Sequence, residues 1–117
     1  MITVDLDNPS ELRLLISYFN AKQISDDVTI KRTRKGYHIY LPVEVDGWKA
    51  LDIRAYLADD EERLWLTYLR ARILNEEPLD VVFYRKMYRG RWVYEEEYNP
   101  LHKPFWMPRT CIKPRVR

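Results

Sequence analysis

Polar and apolar residues alternate over the first seven residues of the chain, which is the pattern of a β-strand with one buried face. Ile2, Val4 and Leu6 form the apolar set, and the residues between them are polar. The alternation stops at Asn8-Pro9, a pair that favours a turn or the start of a helix. The sequence therefore predicts a short first strand with a separate polar face.

The next segment has the spacing of an amphipathic helix. Asn8 is suited to the N-cap, Pro9 to the first helical position, and Glu11 can close a capping box. The helix is predicted to end near Lys22. Four apolar residues are predicted to form its buried stripe: Leu12, Leu15, Ile16 and Phe19.

Two runs rich in β-branched and aromatic residues follow, over residues 28–33 and 37–45. They are separated by Arg34-Lys35-Gly36, and Gly36 can adopt the positive φ that a tight turn requires. The second and third strands are therefore predicted to pair as an antiparallel hairpin.

The middle of the chain returns to helical spacing. Residues 48–57 are compatible with a helix, and Asp59-Asp60 can cap a further helix that runs to about Asn75. Three apolar residues are predicted to form the inner stripe of that further helix: Leu66, Leu69 and Ile73.

Strand patterns reappear after Pro78. Residues 81–88 and 91–97 are predicted to be strands joined by a turn at Arg89-Gly90. Prolines then recur through residues 99–117, which carry five lysines and arginines and no acidic residue. Residues 1–98 are therefore predicted to form one α+β domain, and residues 99–117 an extended, proline-rich basic arm.

The order of predicted elements is strand, helix, strand, strand, helix, strand. This is the order of a ferredoxin-like, or RNA-recognition-motif-like, βαββαβ sandwich, here with an extra C-terminal hairpin strand. In that arrangement the first strand lies between the third and the fourth and is antiparallel to both.

Composition limits the possible settings. With 117 residues, of which 46% are hydrophobic, the chain suffices for one domain with one core. Its net charge of +2 is too mild to indicate a nucleic-acid partner by itself. Cys111 is the single cysteine, which excludes an internal disulfide and a multi-cysteine zinc site. We find no signal-peptide pattern or membrane-spanning apolar run, so we expect an intracellular, cytoplasmic setting without a membrane partner.

The predicted topology brings four polar residues to one corner of the open sheet face. Asp5 and Asp7 end the first strand, His38 begins the third, and Asp80 precedes the fourth. Two carboxylates on one strand face repel each other unless a cation lies between them, and oxygen-rich sites suit Mg²⁺ or Mn²⁺. We therefore predict a divalent-metal site at Asp5 and Asp7, and no organic cofactor. Solvated acids and a simple hydrogen-bonded histidine stay open as the alternative.

Basic and aromatic residues alternate along both predicted hairpins, as they do on surfaces that bind single-stranded DNA or RNA. Solvated, charged hairpin edges are the alternative interpretation. The candidate nucleic-acid-binding residues are Lys31, Arg32, Arg34, Lys35, Tyr40, Arg85, Lys86 and Arg91.

Three short motifs resemble the catalytic palm of archaeo-eukaryotic primases and primase-polymerases. They are Val4-Asp5-Leu6-Asp7, Thr33-Arg34-Lys35-Gly36-Tyr37-His38 and Leu79-Asp80. The helix opening Ala58-Asp59-Asp60-Glu61-Glu62-Arg63 is also similar to that of small proteins from archaeal viruses and plasmids.

This resemblance implies a role in DNA replication or repair. It implies that Asp5 and Asp7 hold the metal, that His38 contacts nucleotide phosphates, and that Asp80 is a third catalytic acid. The glycine expected first before the histidine is replaced by Arg34.

Other functions fit the same pattern. A metal-dependent nuclease with an acid on its first strand is one alternative. A rolling-circle initiator nuclease is disfavoured, because it needs two histidines flanking one residue, whereas this chain has His38-Ile39-Tyr40. A non-catalytic homodimeric interaction protein is the third, with four tryptophans available for an interface: Trp48, Trp65, Trp92 and Trp106.

Overall fold

The fold is mixed α+β, with three helices beside antiparallel strands. A computed structural model describes residues 1–80, 82 and 85–100. The elements in chain order are β1 (Ile2–Asp7), α1 (Glu11–Ile24), β2 (Thr29–Arg32), β3 (Gly36–Leu41), α2 (Gly47–Tyr56), α3 (Glu61–Leu74), β4 (Arg85–Tyr88), β5 (Arg91–Tyr94) and β6 (Glu96–Tyr98).

The main sheet has four antiparallel strands in the order β1-β3-β2-β6, and β4 and β5 form a separate hairpin. The predicted β2–β3 hairpin and the predicted pairing of the first and third strands are both confirmed. The ferredoxin-like order is not confirmed, because among the described residues β1 lies at an edge of the sheet. Residues 81, 83 and 84 of the predicted fourth strand lie outside the described part.

Side chains occupy the outer edge of β1, where a neighbouring strand would bind. The Thr3 N–H donates to Asp80 (2.7 Å), and the Thr3 carbonyl accepts from Arg63 (3.1 Å). The Asp5 N–H donates to Asp59 (2.7 Å). Backbone groups of an edge strand need partners, and here carboxylates and a guanidinium supply them.

The cap of α1 differs from the prediction. Ser10 is the N-cap, and its hydroxyl accepts from the Arg13 N–H at 3.1 Å. Asn8 instead adopts a left-handed conformation (φ 49°) and donates its N–H to the Lys35 carbonyl. Asparagine tolerates this conformation, so Asn8 ends β1 rather than starting the helix, which extends to Ile24.

The core lies between one face of the sheet and helices α1 and α2. Strand residues such as Val4 and Ile39 pack there against Leu14 and Ala21 of α1, with Leu57 at the end of α2. The other face of the sheet, which carries Thr3, Asp5, His38 and Tyr40, is called the open face below.

The predicted buried stripe of α1 is mostly wrong. Leu15 is buried, but three of the four predicted residues are exposed: Leu12, Ile16 and Phe19. The inward face instead contains the small residues Ser17 and Ala21. The Ser17 hydroxyl donates to the Leu57 carbonyl at 3.0 Å, so α1 approaches the end of α2 through a narrow, partly polar face.

The predicted inner stripe of α3 is also wrong. Its three residues are exposed on the outside of the helix: Leu66, Leu69 and Ile73. The inward face carries Arg63, Thr67 and Ala71, at four-residue spacing. Arg63 donates a hydrogen bond to the Thr3 carbonyl of β1, and the Thr67 hydroxyl accepts one from Arg54 of α2. Polar contacts rather than apolar packing therefore orient α3.

Several strands are shorter than predicted. β3 ends at Leu41 before Pro42, and the predicted strand 91–97 is divided at Glu95 into β5 and β6. Of the predicted basic arm, residues 101–117 lie outside the described part of the chain. None of the described helices is both long enough and apolar enough to cross a lipid bilayer.

Candidate functional site on the open sheet face

Asp5 and His38 lie side by side on the open face. They are directly opposite each other in the β1–β3 register, and Lys31 of β2 is opposite His38 on its other side. The His38 Nε2 atom is 3.6 Å from Asp5 Oδ1, and the histidine side chain is only 4% exposed. The alternation of the two strands predicts this juxtaposition, and the register confirms it.

Glu95 holds the opposite side of the His38 ring. Its Oε2 atom is 2.7 Å from His38 Nδ1, and the carboxylate also accepts from the Tyr40 hydroxyl at 2.6 and 2.9 Å. Glu95 is the residue between β5 and β6. The sequence gives no local signal for Glu95, because it lies between two strands and meets His38 across 57 positions of the chain.

The Glu95 contact orients the imidazole. When Nδ1 carries the proton and donates to Glu95, the lone pair of Nε2 faces Asp5. A carboxylate behind a histidine is the usual arrangement that fixes the ring of a metal-binding or phosphate-binding imidazole. His38 is therefore held with one nitrogen available at Asp5.

Burial changes the acid–base properties of two neighbours. It raises the pKa of the Asp5 carboxyl, although the nearby His38 and Arg63 favour the charged form. It also raises the pKa of the Tyr40 hydroxyl, to which the hydrogen bond with Glu95 adds. Tyr40 is therefore a hydrogen-bond donor at neutral pH.

Asp7 and Asp80 are placed differently. Asp7 is at the exposed end of β1, opposite Gly36. Asp80 forms an ion pair with Arg63 (2.7 Å) and accepts the Thr3 N–H. The structure thus brings Asp5 and His38 into contact, whereas the contacts of Asp80 are those of a residue that holds the edge of β1.

A buried ionic cluster that was not predicted from the sequence lies behind this edge. The fully buried Asp59 carboxylate accepts from Arg54 Nε at 2.8 Å and from Arg63 Nη1 at 2.7 Å. Arg54 is 1% exposed and also donates to Thr67 and to the Leu79 carbonyl. The sequence signal was that Asp59-Asp60 supplies two acids where a helix cap needs one. Asp60 is the cap, and Asp59 is the buried acid.

A cleft of about 640 Å³ opens over Asp5 and His38. Its walls are the open face, the first half of α3 and the β4–β5 hairpin. Its acidic lining residues are Asp5, Asp7, Asp60, Glu62 and Glu95, and its basic ones are Arg34, Lys35, Arg63, Arg85 and Lys86. Acids of the floor and bases of the rim thus share one concave surface.

Two cation–π contacts shape the β4–β5 hairpin. The Arg34 guanidinium lies 4.0 Å from the centre of the Tyr88 ring and so joins the β2–β3 turn to the hairpin. Within the hairpin, Arg85 lies 3.9 Å from the centre of the Trp92 ring. Arg34 and Arg85 line the cleft, so each of these rings holds a cation of the cleft from outside the lining.

The other predicted nucleic-acid-binding residues are divided between surfaces. Lys31 and Tyr40 are on the open face. Arg32 lies 5.6 Å from the centre of the Tyr98 ring, on the helix side of the sheet. Arg91 is exposed at the end of the hairpin. Of the eight predicted residues, four line the cleft: Arg34, Lys35, Arg85 and Lys86.

The site fits a divalent ion in part. Asp5 Oδ1 and His38 Nε2 are close enough to share one ion after a small adjustment, with Glu95 behind the histidine. Among the described residues, no three His, Cys, Asp or Glu side chains converge as a complete metal-binding group. Further ligands would have to come from phosphate oxygens or water.

Comparison with known proteins adds no relative to this description. The chain matches no protein-family model, and neither a curated protein nor a solved structure shows significant similarity to it.

Proposed function

We propose that the chain binds single-stranded nucleic acid in the cleft, as a protein of replication or repair would. The observation that carries this proposal is the cleft itself, in which cationic side chains and the ring of Tyr94 lie beside Asp5 and His38. Its volume is in the range of small-molecule and nucleotide sites. Backbone phosphates would bind the cations of the cleft, and an unstacked base would pack on Tyr94.

The acids of the floor require a cation for this function. Asp5 and Asp7 would repel a phosphate, and a bound Mg²⁺ or Mn²⁺ reverses that sign. Asp5 and His38 would hold the ion, which would polarise a phosphoryl oxygen when bound. Lys35 and Lys86 would neutralise the neighbouring phosphates, and Glu95 would keep the His38 ring in place.

The proposal includes a relation to the primase palm. The succession β1-α1-β2-β3, with β1 and β2 both paired to β3, is common to this chain and to ferredoxin-like folds. Within it, Asp5 and His38 occupy the two positions that the resemblance assigns to a metal ligand and a phosphate contact. A ferredoxin-like origin of the domain is thus part of the proposal.

The first test is the salt dependence of binding to a labelled single-stranded oligonucleotide. Replacing Lys35 and Lys86 with alanine should lower the slope of log affinity against log salt by about 1.4, since each phosphate contact on a single strand contributes about 0.7. Lys49→Ala, on the exposed surface of α2, is the control and should leave the slope unchanged. An unchanged slope in the double variant, or no binding by the wild type, would disprove nucleic-acid binding in the cleft.

The second test concerns the ion. In a calorimetric titration of Mn²⁺ with a deoxynucleoside triphosphate, Asp5→Asn/Asp7→Asn should weaken binding by at least about tenfold. Asp26→Asn/Asp27→Asn, which removes two adjacent exposed acids elsewhere, is the matched control. Equal affinity in both double variants would mean that the Asp5–Asp7 pair is structural. Mn²⁺-dependent cleavage of the oligonucleotide by the wild type would instead favour the nuclease alternative.

A further inference from the structure

The outer face of α3 is an exposed apolar surface. The side chains of Leu66, Leu69 and Ile73 are 61%, 45% and 77% exposed, and that of Trp65 is 56% exposed. Single exposed apolar residues are ordinary, but contiguous apolar patches on soluble monomers usually mark an interaction site. These four residues lie within three turns of one helix, so they form one patch.

Nothing in the described part of the chain covers this patch. The inner face of α3 is turned to α2 and to the edge of β1 through Arg63, Thr67 and Ala71. Glu62, Leu66, Leu69 and Ile73 follow one another at intervals of four, three and four residues. That spacing is the one with which helices pack against a second helix.

The charges on α3 make its outer face complementary to itself. Glu61 and Glu62 are in the first turn, whereas Arg72 is in the last turn. When two copies of such a helix lie antiparallel, the acidic end of each meets the basic end of the other. A parallel arrangement would place like charges together.

We propose that α3 pairs antiparallel with α3 of a second copy of this chain, about a two-fold axis level with residue 67. Residues equidistant from position 67 then face each other, so that Trp65 of each copy meets Leu69 of the other. By the same symmetry Glu62 meets Arg72. At about 100° per residue these four positions fall within about 80° of the helix circumference, which is one contact face.

The apolar pair at the centre of the proposed interface lies outside the cleft. Trp65 and Leu69 are absent from the lining of the cleft, whereas Glu62 and Leu66 line it. A change at Leu69 therefore tests the pairing without altering a residue of the cleft. Each α3 would gain the apolar partner that it lacks within the described part of its own chain. An aromatic side chain at the centre of such an interface is typical of the residues that dominate binding energy.

Sedimentation equilibrium of the full chain tests the surface. The wild type should reach twice the mass of one chain, and Leu69→Glu should raise the dissociation constant by about 30-fold or more. Leu12→Glu is the matched control, because Leu12 is 51% exposed on α1 and lies outside the proposed interface. A wild type that stays monomeric up to about 0.5 mM overturns the proposal, as does equal weakening by Leu12→Glu.

A charge exchange tests the antiparallel geometry separately from the apolar contact. Arg72→Glu alone should weaken the dimer several-fold, because it faces Glu62 of the second copy. Adding Glu62→Arg to the same chain should restore the dissociation constant to near the wild-type value. Circular dichroism should show the helix content of the wild type in each variant. Failure of the second change to restore association would overturn the proposed axis.

Discussion

At the scale of single residues, His38 is the centre of the molecule's chemistry. It is one of the most buried polar side chains, yet each ring nitrogen is near a carboxylate, Glu95 at 2.7 Å and Asp5 at 3.6 Å. The shorter contact fixes the ring, and the longer one leaves room for a ligand between the two groups. A histidine that served packing alone would not need both.

Ionisation of the Asp5 carboxyl should make the folded state less stable as the pH rises. Burial raises its pKa above the ordinary value of 3.8, so the folded state holds this proton more tightly than the unfolded chain. The resulting stabilisation is complete below the unfolded pKa and is lost as the pH rises through the folded one. In urea unfolding, the free energy of unfolding of Asp5→Asn should therefore rise relative to that of the wild type between about pH 4 and pH 7.

Asp7→Asn, at the exposed end of the same strand, is the control for this comparison. A stability difference between Asp5→Asn and the wild type that stays constant, or reverses, over the same pH range would contradict the expectation.

At the scale of elements, α3 is attached by ions where most helices are attached by apolar side chains. Arg63 bridges Asp59 and Asp80 at 2.7 Å each, and Arg54 reaches the same cluster from α2. Buried ion pairs add little net stability over apolar packing but are costly to break. The cluster therefore acts chiefly by fixing where α3 and the edge of β1 lie.

Asp59→Asn should destabilise the domain by about 3–5 kcal/mol, because it leaves the buried Arg54 guanidinium without its charge partner. Chemical denaturation measures this free energy of unfolding. Asp52→Asn, an exposed acid on α2, should change it by less than about 0.5 kcal/mol. A loss below about 1 kcal/mol in Asp59→Asn would show that the cluster is solvated in solution.

The same elements show which features a sequence can reveal. The alternation in β1 and β3 was sufficient to place Asp5 beside His38, since strand parity depends on residues only two positions apart. The buried stripes of α1 and α3 were predicted wrongly, because an apolar side chain favours burial without specifying which surface will cover it. Leu12 and Leu69 are apolar, yet within the described chain both face outward.

At the scale of the whole molecule, the contacts that the sequence did not predict join residues that are far apart along the chain. Glu95 reaches His38 across 57 positions of sequence, and Asp80 reaches Thr3 across 77. Neither contact has a local signal. The predicted α+β class and two predicted strand pairings are confirmed, whereas the predicted ferredoxin-like strand order is not.

The side chains along β1 also determine how the sheet can grow. An open edge invites another chain to add a strand, and repeated addition leads to fibrils. Here an incoming peptide would first have to displace Asp59, Arg63 and Asp80 from Thr3 and Asp5. In the described part of the chain, the opposite edge is the three-residue strand β6. The ionic cluster that positions α3 thus also protects the folded chain from amyloid-like assembly.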